Sequence, residues 1–355
     1  MDFCYRFPAV KGLQAGKAYY IAMIPLRLLG RLFGNDDEYV PPEYRAQRRL
    51  NTARIPVIKD YILDNRDSYV FSALAAAIDG EHEFVASDGS GDLGILEVSM
   101  DARFMIVDGQ HRKASIIEAI GEDESLSTET ISVVLYEDKG LEHSQQMFTD
   151  LNKHAVKTSN SIAELYDSRD ALAVITRRVI SEIDFFNQYT DKEKDILGKF
   201  SSNFFTLNTF YKANKKILKR AECDDSTEEF LKRYWSAIAT YIVPWNELSN
   251  KVLSKVDLRE QYIVTQAIII QALGVLGNYY FTHSEVDLEQ SVSKIANVDW
   301  LRSADCWKDR VIRANGKIIN STDAARLACN VIKMVIGIPL DNEDQSYEDK
   351  FIKGK

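Results

Sequence analysis

The periodicity of apolar residues changes near residue 160, and that change sets the fold class. Before it, short runs rich in β-formers alternate with helical ones. Tyr19 to Leu29, Ile95 to Ser99, Phe104 to Val107 and Ile131 to Tyr136 read as strands. After it, the long segments repeat their apolar residues at helical spacing, over about 162–184, 207–221, 226–241, 257–281, 284–296 and 322–336. The expected architecture is an α+β N-terminal domain, 1–160, followed by a mostly α-helical C-terminal domain, 161–340. A chain of 355 residues is long enough for two such cores. Asp341, Glu343, Asp344, Glu348 and Asp349 crowd the remainder, 341–355, which reads as an acidic mobile tail.

Finer expectations follow from local chemistry. Pro41-Pro42 stops the chain and starts a helix near Glu43, and a second helix runs from Arg54 with Ile55, Ile58, Ile62 and Leu63 as its apolar face. Val70 to Ala77 reads as a strand or a short buried helix. Ile95 to Ser99 and Phe104 to Val107 read as an antiparallel pair around Asp101. A helix carrying Ala114, Ile117 and Ile120 ends at Gly121, and another covers Leu141 to Lys153. Asn208 and Thr209 are candidate caps for one later helix and Ser321 for another. Ile263 to Phe281 is the longest apolar run. Gln266, Gln271 and Asn278 interrupt it, so a buried core helix explains it better than a membrane span.

Several function classes recede on composition. Cys4, Cys223, Cys306 and Cys329 form no CxxC pair, and His82, His143, His154 and His283 have no metal-ligand spacing, so neither a disulfide framework nor a protein metal site is expected. The N-terminal residues lack the order of a signal peptide, and the chain reads as cytoplasmic. A net charge of -9 excludes a uniformly basic coat but not a local basic patch.

The densest chemistry is Val107-Asp108-Gly109-Gln110-His111-Arg112, placed between a strand and a helix. Glycine lets the backbone approach closely, and the first amides of a helix have no partner within it, so such a junction suits an anion. Arg112 and Lys113 add charge, and a guanidinium suits bidentate contact with phosphate. His111 can donate to a phosphate or move a proton, while Asp108 can hold a magnesium ion or orient a water. Without a ligand, Asp-Gly is also a common turn pair, with Asp108 as a helix cap.

The string Asp108 to Arg112, followed by Lys113-Ala114, resembles the signature of the DGQHR-domain family. Phe148 to Thr158 is similar to a block that follows it there. Arg45, Gln47-Arg48-Arg49 and Arg54-Ile55 resemble a third block upstream. Together the blocks span about residues 20–165. Within the family the chain resembles the DndB-type regulators of DNA sulfur modification, more loosely beyond residue 170. The resemblance implies a first domain of the ParB/sulfiredoxin type and a protein that represses a DNA phosphorothioation operon by binding its promoter, double-stranded DNA. It also implies a nucleotide site in which Gly109, Gln110 and Arg112 hold phosphates, with Asp108 and His111 as candidate catalytic groups. Asn152 either lines that pocket or caps a helix. The implied cofactor is ATP or another nucleotide with Mg2+. The alternative is a nucleotide hydrolase coupled to DNA binding or nicking. Other phosphorothioation proteins and a second copy of the chain are candidate partners.

The DNA contact is expected elsewhere. The segment Tyr211 to Arg220 carries five basic residues and no acid. On a helix, Lys212, Lys215, Lys216 and Lys219 share one side, with Arg220 next to them, as a row for successive phosphates or an ordinary solvated face. Lys308, Arg310, Arg313 and Lys317 form a second cluster and Arg45, Arg48, Arg49 and Arg54 a third.

Overall fold

The structure, a computed structural model, describes residues 3–34, 51–87, 89, 91–137, 146–147, 149–151 and 158–353. The chain divides into two compact units, Met1–Val156 and Lys157–Lys355. The class is α+β: a mixed sheet in the first unit and helices in the second.

The sheet of the first unit has seven strands: β1 (Cys4–Gln14), β2 (Lys17–Pro25), β3 (Leu74–Asp79), β4 (His82–Ala86), β5 (Leu93–Ser99), β6 (Arg103–Asp108) and β7 (Thr130–Glu137). Their order is β4-β5-β1-β2-β7-β3-β6, antiparallel throughout except for the parallel pair of β3 with β7. The expected pairing of Ile95–Ser99 with Phe104–Val107 is not what forms. β5 pairs with β1 and β4, while β6 pairs with β3. Met100 to Ala102 is a bend, not a reversal, because the Met100 amide donates to Phe3 O and the Ser99 amide to Glu81 O. One long ribbon, β3–β4 against β6–β5, thus supplies both edge strands of the sheet, β4 and β6.

Burial explains the strands that were ambiguous in sequence. In β3, Leu74 to Ile78 are all buried, so the period-2 signal is absent. Tyr19 to Leu29 stays extended only to Pro25, then turns into a 3-10 turn and the short helix α1 (Leu29–Leu32) as the Leu26 amide donates to Glu129 O. The helices α2 (Ile55–Asp64) and α3 (Gln110–Glu122) pack together. The expected helix with Ala114, Ile117 and Ile120 forms, and its buried residues are Ser115, Ile116 and Ala119, while Ile117 is exposed. The helix ends at Glu122, past Gly121, where the Asp123 amide still reaches Ala119 O. The expected helix near Glu43 lies outside the described residues, as does most of Leu141–Lys153, of which Gln146, Met147 and Thr149 to Leu151 are helical.

The second unit contains α4 (Asn160–Tyr166), α5 (Ala171–Glu182), α6 (Asp184–Tyr189), α7 (Leu207–Leu218), α8 (Asp225–Tyr241), α9 (Val243–Ser249), α10 (Lys255–Gln261), α11 (Ala267–Thr282), α12 (Leu288–Ser293), α13 (Thr322–Ile336) and α14 (Asn342–Lys353). An aromatic cluster anchors it. Phe186 meets Phe210 at 4.8 Å, Trp245 at 5.5 Å, Trp235 at 5.8 Å and Phe205 at 5.9 Å between ring centroids. α11 is the buried apolar helix, packed between α7 and α13. Its polar interruptions serve that packing: Gln271 Nε2 donates to Thr209 O at 3.0 Å and Asn278 Nδ2 to Ile217 O at 2.7 Å. A Cβ on Gly274 would sit 2.9 Å from Ala213 Cα, so glycine sets the closeness of α11 to α7. Among the described residues no helix is long and apolar enough to cross a membrane. Ser321 caps α13 as expected, but Thr206, not Asn208 or Thr209, caps α7 by accepting from the Thr209 amide.

Most of the acidic segment expected as a mobile tail is helical. It forms α14, and Asp344 (0% exposed) and Glu348 (5%) are buried. Asp344 pairs with Lys333 and with Arg326 Nη1, Glu343 with Arg326 Nη2 at 2.8 Å, and Glu348 with Arg310 Nη2 at 2.5 Å. Buried cations on the helical unit hold acids that sequence alone consigns to solvent.

Candidate functional site

The expected strand–glycine–helix junction is present. β6 ends at Asp108, Gly109 takes φ +101° as the N-cap, and α3 begins at Gln110. That conformation favours glycine, and so does space: an added Cβ would lie 2.4 Å from Leu74 Cδ2 and 3.2 Å from Arg112 Nη2. Being glycine, the N-cap residue has no side chain with which to cap α3. The Asp108 carboxylate instead accepts from Arg112 Nη2 at 2.8 Å.

Arg112 is the structural centre of the junction. Its Nη1 donates to Ser72 O at 2.6 Å, Ser72 Oγ at 2.7 Å and Ala73 O at 3.0 Å. Both terminal nitrogens are therefore engaged, and they tie the entry of β3 to the first turn of α3. Arg112 acts here as a positioning residue. His111 Nε2 accepts from the Asn51 amide at 3.0 Å, which assigns the ring proton to Nδ1 in the neutral form. Ser115 Oγ donates to Ile55 O at 3.0 Å and fastens α3 to α2. Lys113 is half-buried, and burial lowers its ammonium below the ordinary lysine value. Gln110 is half-buried as well. The junction so built offers helix-start amides, the Gln110 amide group and one carboxylate shared with an arginine. Those are donors for an anion, with a single acid for proton or metal work. Asn152 lies outside the described residues, as do Arg45, Arg48 and Arg49; Arg54 is exposed at the start of α2.

The basic residues of the second unit separate into three states. Lys212 and Lys215 are exposed on α7, whereas Lys216 is half-buried. The row does not extend to Lys219, because the helix stops at Leu218 and Lys219 takes φ +53°. Lys219 and Arg220 are both exposed beyond that end. Arg310 is held by Glu348 and lies 4.3 Å from the Phe351 ring, so its charge is met within the unit. Arg313 is exposed in the turn that its own amide closes on Lys317 O.

The model of the DndB family, described as DNA-sulfur modification-associated, matches residues 7–339. The chain belongs to the DndB family. No curated protein and no solved structure matches it. The DndB match takes in the junction at Asp108–Arg112 and the lysines of α7, and it stops short of α14. DndB membership ties the protein to DNA sulfur modification.

Two parts of this DndB-family structure escape sequence reasoning. One is Glu164, on α4, whose carboxyl burial and the nearby Asp195 raise to about 7. Nothing around Glu164 in the chain marks it as unusual. The other is the cation set Arg310, Arg326 and Lys333. Here a signal existed: Arg326, Asn330 and Lys333 recur at i, i+4 and i+7, a polar stripe on a helix otherwise apolar.

Proposed function

We propose that this DndB-family protein is a DNA-binding repressor of a phosphorothioation gene cluster, and that a nucleotide held at the β6–α3 junction modulates it. The observation that carries the nucleotide part is the geometry of Gly109, which starts α3 at φ +101° directly after a strand. That arrangement turns the start of the helix, with its positive dipole end, toward a phosphate. A ParB/sulfiredoxin relationship of the first unit is part of the same reading. Its support is the position of the motif at the C-terminal end of a sheet strand.

In this reading Gly109 and Gln110 contact the phosphates and Arg112 holds the loop that shapes the site. A magnesium ion arriving with ATP would find Asp108 as its protein ligand, since such ions are bound through one or two carboxylates plus the phosphates. DNA is met by the exposed cations Lys212, Lys215, Lys219, Arg220 and Arg313. The test is a gel shift on the cluster's own promoter against random duplex, at two salt levels and with or without ATP. Preference for the promoter supports the repressor; equal affinity for both duplexes removes it. Hydrolysis has less support, because Asp108 and His111 already have partners in Arg112 and the Asn51 amide. Phosphate release from ATP that vanishes in a folded His111→Ala variant would reinstate it.

A further inference from the structure

The helical unit holds a concave space with two lysines in its lining. A pocket of about 370 Å³ opens where α7, α11 and the start of α13 converge. Lys212 and Lys216 enter it from α7, Gln271 from α11, and Asn320 and Thr322 from the start of α13. Ala267, Ile268 and Ala325 give it an apolar part.

Lys216 carries the argument. It is half-buried and has no hydrogen bond or ion pair among the described residues. The charge that acts on it is a like one, Arg326, which is itself bound to Glu343 and Asp344. Burial and that neighbour lower its ammonium below the ordinary lysine value. A buried cation without a counter-charge is costly unless something supplies one.

The acids near the pocket are occupied. Asp195 lines the pocket itself, but its carboxylate already accepts from the amides of Asn160 and Ser161, from Asn160 Nδ2 and from Ser161 Oγ at the start of α4. Glu164 meets the Asn208 amide, which in its satisfied orientation donates to Glu164 Oε1 at 3.0 Å and accepts from Lys212 Nζ at 3.2 Å. Two ammonium groups, one of them unpaired, therefore face a concave space beside the first turn of α13. That is the chemistry of a tetrahedral oxyanion site. The volume is in the range of small-ligand pockets and excludes a duplex.

We propose that this pocket binds a small phosphate-bearing anion, between inorganic phosphate and a mononucleotide in size, with Lys216 as its principal cation. The site is separate from the β6–α3 junction and does not depend on the repressor reading.

The full chain, purified without phosphate, is titrated calorimetrically with inorganic phosphate and with AMP. At least one of the two binds; Lys216→Met weakens that binding roughly ten- to hundredfold, while His111→Ala, in the other unit, leaves it unchanged. The Lys216→Met variant also melts higher than the wild type in phosphate-free buffer, because an unpaired, half-buried charge is gone. As a measurement on the unaltered protein, the 13Cε resonance of Lys216 moves on addition of the same ligand. Undiminished binding in Lys216→Met, or loss of binding in His111→Ala instead, overturns the proposal. So does a Lys216 resonance that moves with duplex DNA but with neither small anion.

Discussion

At the scale of single residues, the junction shows how one motif can hold different kinds of constraint. Gly109 is required by conformation and by Leu74 at once. Gly109→Ala is expected to cost about 1–3 kcal/mol of unfolding free energy, read from urea titration of the full chain. Arg112 is required by its hydrogen-bond geometry. Arg112→Lys keeps the charge but cannot bridge Asp108 and the two carbonyls of Ser72 and Ala73. It should lose about 1–3 kcal/mol, nearly as much as Arg112→Ala; recovery by lysine would show that charge alone mattered. Glu164 makes a pH prediction. Its carboxyl, raised from 4.5 to about 7, holds a proton in the folded chain where the unfolded chain has lost it. Folding stability therefore falls as pH rises between those values. Glu164→Gln should flatten that part of a melting-temperature profile, and an unaltered slope would remove Glu164 as its source. The motif itself was legible because strand, glycine and helix are each local. The partners of Arg112 and His111 were not, because Ser72, Ala73 and Asn51 reach them only through the pairing of β3 with β6 and the packing of α2 on α3.

At the scale of elements, long amphipathic helices were readable and strand partners were not. α7, α8 and α13 have one apolar face each, and the sequence shows it. β5 and β6 have sound strand chemistry but accept partners far away in sequence, so adjacency misled. β1 was missed, since Arg6, Pro8, Lys11 and Gly12 give it little strand character on their own. α14 is the clearest reversal: its composition is that of a solvated tail, and its place in the unit is made by ion pairs. Asp344→Ala leaves Lys333 buried without its partner and should destabilise the chain by about 3–5 kcal/mol. The double variant Lys333→Met with Asp344→Leu should recover most of that loss. Failure to recover would mean that α14 is held by something other than charge neutralisation.

At the scale of the whole molecule, a protein with a net charge of -9 can meet DNA only through a local surface. If Lys212, Lys215, Lys219 and Arg220 each meet a phosphate, log affinity should fall against log salt with a slope of about -3 to -4. Lys215→Glu with Lys219→Glu should weaken promoter and random DNA alike and flatten that slope, since phosphate contacts position without reading sequence. An unchanged slope would move the DNA surface elsewhere. The sequence by itself determined the α+β class, the buried nature of α11, the strand–glycine–helix junction and the DndB resemblance, because each rests on neighbours within a turn or a strand. Only the tertiary structure decided which strands pair, that Arg112 and Arg310 are engaged, that Lys216 is half-buried without a counter-charge and that the acidic end is a docked helix. Those outcomes depend on burial and charge contributed by residues distant in sequence, and no local pattern specifies either.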